Sequence, residues 1–123
     1  MFAVTLPLWL AGPDDRLFAD RSFFGLHQVI DRGGIRLYSN GTTIHGAQRL
    51  ADMEAARPMP VTYYHPAAPM GQVMGSEFGQ GAERIGIVGL GVGSLACYAA
   101  PGQDWHFYEI DAMVDRVARD PEL

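Results

Sequence analysis

The stretch RIGIVGLGVGSLACYAAPGQDWHFYEID, residues 84–111, decides how the chain is read. An apolar run of strand type, RIGIVGL, meets three closely spaced glycines, Gly89, Gly91 and Gly93, in the pattern G-x-G-x-G. Val92, Leu95, Ala96 and Ala99 follow at i, i+3, i+4 and i+7, the spacing of one helical face, and Pro101-Gly102 ends that segment. WHFYEI reads as a second strand. Asp111 stands where a cap is wanted before AMVDRVAR, whose Arg116 and Arg119 lie near the end at which a helix dipole favours cations. Strand, glycine loop, helix, strand, helix predicts the opening of a doubly wound parallel sheet, with the first strand buried on both faces.

Glycines suit the turn from strand to helix because a phosphate, or a cofactor's charged end, approaches the backbone there and a Cβ would block it. The dinucleotide fingerprint needs a third glycine at position 94, which is Ser94 here. The G-x-G-x-G form suits an S-adenosyl nucleoside, which has no pyrophosphate to cradle. Glu109 lies 20 residues beyond Gly89 and ends the next strand, where an acid accepts hydrogen bonds from both hydroxyls of a ribose. The bland alternative is that the glycines serve packing. For Asp111 helix capping is a full explanation.

Upstream, residues 16–50 read as an antiparallel β-meander. RSFFGLHQVID reads as one strand, RGG as a turn, IRLYS as an alternating strand, Asn40-Gly41 as a hairpin turn and TTIHGAQ as the returning strand. Residues 51–83 read as a connector with a helix, in which Met70, Val73, Met74 and Phe78 fall at helical spacing and serve as core. Residues 84–123 form the nucleoside-binding portion. The fold class expected is α/β, or α+β taken over the whole chain.

The 123 residues suffice for one domain, or for a small domain and part of another. Nine Lys and Arg residues are scattered through a chain of net charge −5, which excludes the basic stripe of a nucleic-acid binder. Cys97 is the single cysteine and the four histidines stand far apart in sequence, so no metal is expected and the compartment expected is reducing and cytoplasmic. The apolar start MFAVTLPLWLAG is too short to span a bilayer by itself and has no basic region before it. Residues 1–15 read either as an ordinary terminus or as the remnant of a membrane helix.

In combination, RSFFG, GTTIHGAQ, YYHP and IVGLGVGSLACYA…FYEID resemble the spermidine synthase-like family, and more closely its bacterial members fused to transporter-like helices. The similarity runs over roughly residues 20–123. It implies a small N-terminal β-domain followed by the first β-α-β-α portion of a Rossmann-like, methyltransferase-type domain. It further implies a donor substrate, decarboxylated S-adenosylmethionine or S-adenosylmethionine, whose aminopropyl group passes to a diamine in polyamine biosynthesis. Gln48, Gly89, Gly91, Gly93 and Glu109 match the family's cofactor contacts, and Tyr64 and His65 match its substrate-facing Tyr-His pair. A homodimer is implied, as is a cytoplasmic or membrane-tethered longer parent.

Two positions depart from the family pattern. Val92 stands where the aminopropyltransferases carry an Asp that holds the donor's amine, and Pro66 stands where a Glu follows the Tyr-His pair. The family's catalytic base, an Asp after the fourth strand of the second domain, has no counterpart, and Asp115 and Glu83 are poorly placed to substitute. The chain is therefore expected to be the front portion of a longer protein, inactive alone, with residues 84–123 loosely held unless they dock on the β-domain or on a second copy. Competing readings are a methyltransferase-like S-adenosyl-nucleoside domain, a non-catalytic self-association module and, more distantly, a nicotinamide oxidoreductase.

Overall fold

The computed structural model describes residues 15–123. The N-terminal apolar run, and with it the reading of residues 1–15, lies outside the described residues. The fold is a mixed α/β arrangement: a four-stranded antiparallel sheet, a two-stranded parallel sheet, and short helices.

The antiparallel sheet is a meander, β1 (Arg16–Ser22), β2 (Gly25–Arg32), β3 (Ile35–Asn40) and β4 (Thr43–Arg49), with neighbours in chain order. RSFFGLHQVID is two strands, not the single one its composition suggests. The chain turns at Phe23-Phe24, where the Ser22 hydroxyl accepts from the Phe24 N–H at 3.0 Å. Gly33 and Gly34, at φ 57° and 78°, close the next hairpin in the left-handed region that such turns require. The third turn falls on Gly41-Thr42, one residue beyond the position read from Asn40-Gly41, because Asn40 still pairs with Thr43.

In the connector, the helix expected over Met70–Phe78 is two short ones, α1 (Pro69–Gly75) and α2 (Glu77–Gly81). Ser76 divides them: its backbone is extended, and its side chain caps α2 by accepting from the Gly79 N–H at 3.3 Å. Of the four apolar residues assigned to the core only Met74 is buried, and Phe78 is 80% exposed.

β5 (Arg84–Val88) and β6 (Asp104–Tyr108) pair in parallel, as predicted. Their connection departs from prediction. Ser94–Tyr98 is a 3-10 turn rather than an α-helix, with Leu95 its only buried residue. Gly93 enters it at φ 71°, and Ala99 leaves it in an extended conformation two residues before Pro101. The carbonyls of Tyr98 and Ala99 accept instead from Gln80 at 3.3 Å and Arg57 at 2.9 Å. Burial alternates along both strands, so Gly86, Val88, His106 and Tyr108 face outward and only the other face is covered. The expectation of burial on both faces fails because no described element lies over that side.

α3 (Ala112–Arg119) holds the two sheets together. Val114 and Val117 pack on Val29 and Tyr38, with Phe18, Leu90, Val92 and Leu123 around them. Each such buried valine contributes about 1.5–3 kcal/mol. Residues 84–123 are thus docked on the meander. At the same junction Val92 sits against Gly46 of β4, where a Cβ would collide with it.

Candidate functional site

The glycine loop leaves β5 with Gly89, Gly91 and Gly93 at φ 89°, 56° and 71°, all in the left-handed region that favours glycine. Glu109, just past β6, is tied to this loop. Its Oε2 accepts from the Leu90 N–H at 2.8 Å and its Oε1 from the Asp111 N–H at 2.9 Å. An ionised carboxylate offers about four acceptor sites, so two remain for a ligand. The acid and the loop stand at the C-terminal ends of the parallel strands.

Both line a pocket of about 720 Å³ between the sheets. Tyr63, Tyr64 and Phe24 form an aromatic rim, Met70 and Met74 of α1 lie across from Ile85 and Ile87 of β5, and Glu109 and Asp111 supply the carboxylates. The Tyr63 and Tyr64 rings are 4.3 Å apart. The tyrosine pair follows Thr62, a β-branched residue held at φ 61°, where such residues are strained. Tyr63 donates to the His45 carbonyl at 3.3 Å, and the Tyr64 carbonyl accepts from the Tyr98 hydroxyl at 2.6 Å. Burial, followed by the neighbouring Tyr63, raises the Tyr64 pKa above the usual phenol value, so the group keeps its proton.

Of the residues singled out from sequence, Gly89, Gly91, Glu109 and Tyr64 line this pocket. Gly93 lies in the same loop behind them. His65 is exposed and outside the pocket, its Nδ1 accepting from the Ala67 N–H at 3.1 Å in a local turn. Gln48 lines a separate cavity of about 220 Å³ beside Val92 and the end of α3. Asp115 pairs with Arg119 on the surface at 2.8 Å, and Glu83 precedes β5 at the opposite end of the strands.

Four residues that sequence reading did not assemble lie behind Glu109. His27 of β2 is fully buried. Its Nε2 lies 3.0 Å from Asp111 Oδ2 and 2.9 Å from Ser22 Oγ, and its Nδ1 lies 2.7 Å from the Tyr38 hydroxyl. Ser22 donates to Asp111 Oδ2 at 2.6 Å, while Asp111 Oδ1 caps α3 by accepting from the Met113 N–H at 2.9 Å. Because the single Ser22 hydrogen goes to Asp111, the ring carries a hydrogen on Nε2 toward Ser22 Oγ, and Nδ1 meets the Tyr38 hydroxyl. Burial opposes the Asp111 charge, yet Ser22, the Met113 N–H and His27 together hold its pKa below the ordinary value. Burial, then the Asp111 and Glu109 charges, pushes Tyr38 up to about 12. The phenol is therefore a donor at neutral pH, not a base.

His45 also reaches the pocket unannounced. The β3–β4 register slips between Tyr38 and Ser39, leaving His45 as the extra residue of a bulge, and its carbonyl turns toward Tyr63 and Gly91. Among the described residues no group of three or more His, Cys, Asp and Glu side chains is placed to hold a metal ion. Among them, too, no helix is long and apolar enough to cross a membrane.

No family model, curated protein or solved structure matches the chain.

Proposed function

We propose that the pocket is a nucleoside corner of the spermidine synthase-like type. The observation that carries this reading is Glu109, tied to the glycine loop at the C-terminal ends of two parallel strands with acceptor sites free toward a pocket of about 720 Å³. In this reading β5, the loop and β6 open a Rossmann-like, methyltransferase-type sheet. Glu109 accepts from the ribose hydroxyls, and Tyr63 and Tyr64 flank the 5′ substituent. The donor is decarboxylated S-adenosylmethionine or S-adenosylmethionine, and the reaction it serves is passage of an aminopropyl group to a diamine. The described residues supply binding and orientation. Tyr38 and Tyr64 hold their protons, and Glu109 is assigned to the ribose, so none of the three is offered as the base.

Calorimetric titration with methylthioadenosine tests the reading. The chain should bind it, Glu109→Ala should weaken binding at least about tenfold, and a 2′-deoxy analogue should bind more weakly, through loss of charge-assisted hydrogen bonds. Absence of heat from a folded chain would refute the nucleoside corner. It would favour the second reading, a self-association module, which draws on the outward face carrying Val88 (93% exposed) and Tyr108.

A further inference from the structure

We propose that His27, on the antiparallel sheet, is a positioning residue for Glu109, acting through Asp111. The proposal rests on the nucleoside reading for its consequence but not for its geometry. Glu109 is oriented by two backbone N–H groups, those of Leu90 and Asp111. The first belongs to a loop of three left-handed glycines, which alone would hold it weakly. The second is fixed because the Asp111 side chain is fixed, and three groups fix it: the Ser22 hydroxyl and the Met113 N–H, which donate to it, and His27, whose Nε2 lies 3.0 Å from Oδ2 and holds Ser22 Oγ at 2.9 Å.

Two of those three come from the meander, 89 residues away in the case of Ser22. The valines of α3 bury surface against the sheet, but apolar packing has no preferred direction and does not set where the helix begins. The polar cluster does. It pins the α3 N-terminus to the ends of β1 and β2, and Glu109 lies two residues before the pin.

A fully buried imidazole is costly unless both nitrogens find partners, and an aliphatic side chain would fill the space without that risk. Here both are satisfied, Nδ1 by Tyr38 on the next strand and Nε2 by Ser22 Oγ, with Asp111 Oδ2 3.0 Å away. The ring therefore joins the rigid interior of one sheet to the acid at the ends of the other. Capping alone does not need it, since Asp111 Oδ1 already caps α3.

The test uses the whole chain with His27→Leu, His27→Gln and Asp111→Asn, read by backbone amide exchange without ligand and by methylthioadenosine titration. Asp111→Asn keeps a good cap, so it stays informative if His27→Leu does not fold. Val117→Ala, at the other end of the α3 contact, is the control for lost packing. Loss of a hydrogen bond to a charged group should cut protection at the Leu90 and Asp111 amides about tenfold beyond any loss at β2 and β3, with a similar fall in nucleoside affinity. His27→Gln, whose amide can donate to Asp111, should recover part of both. Leu90 and Asp111 amides that exchange in step with the rest of the chain in every variant, as in Val117→Ala, would overturn the proposal. The amide effect in the variants, beside a wild-type chain that takes no nucleoside, would uphold the positioning and refute the nucleoside reading alone.

Discussion

Gly46→Ala is the most demanding check on how the glycine loop meets the meander. A Cβ at position 46 would fall on Val92 Cγ2 and lie 2.7 Å from Cγ1 and 2.9 Å from Cβ. Val92 cannot swing away cheaply, because it is β-branched and stands between Gly91 and Gly93 in a loop whose other contacts are fixed by Glu109. Either β4 or the loop must move. Overpacking of this kind costs about 1–3 kcal/mol. With a urea slope of about 1–3 kcal/mol/M for a protein of this size, the unfolding midpoint should fall by roughly 1 M. Val92→Ala removes the two γ carbons and should relieve most of the clash, so the double variant should lie closer to Val92→Ala than additivity predicts, with a coupling of at least about 1 kcal/mol. A Gly46→Ala midpoint equal to wild type, or a strictly additive cycle, would refute the close approach of loop and sheet.

Further outcomes are expected. Asp111 and Asp31 both have lowered pKa values: for Asp111 the Ser22, Met113 and His27 partners outweigh burial, and for Asp31 the Arg36 hydrogen bond leads. The stability they contribute is full above the unfolded carboxylate value of about 3.9 and is lost as pH falls through the folded values. The melting temperature should accordingly drop on the acid side, and Asp111→Asn should flatten that drop. Tyr38→Phe leaves His27 Nδ1 without its donor and should cost about 1–3 kcal/mol in chemical unfolding. In an alkaline ultraviolet titration it should also remove a phenol that ionises near pH 12. Gln103→Ala frees the carbonyls of Gly79, Gln80 and Ala82 and the Ala100 and Trp105 N–H groups, and should lower stability by about 1–3 kcal/mol. The fluorescence of Trp105 should change with it.

Much of the local structure was legible because short-range rules govern it. Gly33-Gly34, alternation through IRLYS, and Asp111 ahead of an amphipathic stretch each specify a turn, a strand or a cap from neighbours alone. The pairing of Glu109 with the glycine loop followed from spacing, since a parallel neighbour places the two strand ends side by side. What failed depended on tertiary partners. VGSLACYAA has helical spacing, but it forms a 3-10 turn between Gly93 and an extended Ala99, with Arg57 and Gln80 taking its last carbonyls. RIGIVGL looks doubly covered because apolar residues fill it, yet whether a second layer exists is not a property of the strand. His27 and Ser22 carried no mark, because a buried histidine gains meaning only when Asp111 arrives from far along the chain. Gln48 and His65, matched by likeness, lie away from the pocket, Gln48 in a separate cavity and His65 in a local turn.

The hairpin connectivity of β1–β4 bears on the order of events during synthesis. Hairpins of this size close in about 1–10 μs, and local topology speeds folding, so the meander is expected to form as soon as it emerges. His27 and Tyr38 then meet early, but the carboxylate that His27 Nε2 awaits is translated only with Asp111, 89 residues after Ser22. At about 5–20 residues per second the nascent sheet waits several seconds with that imidazole still facing water. A polar contact made late thus shuts the interior, and a ribosome-bound chain stopped before residue 111 should show a histidine open to solvent that the finished protein conceals.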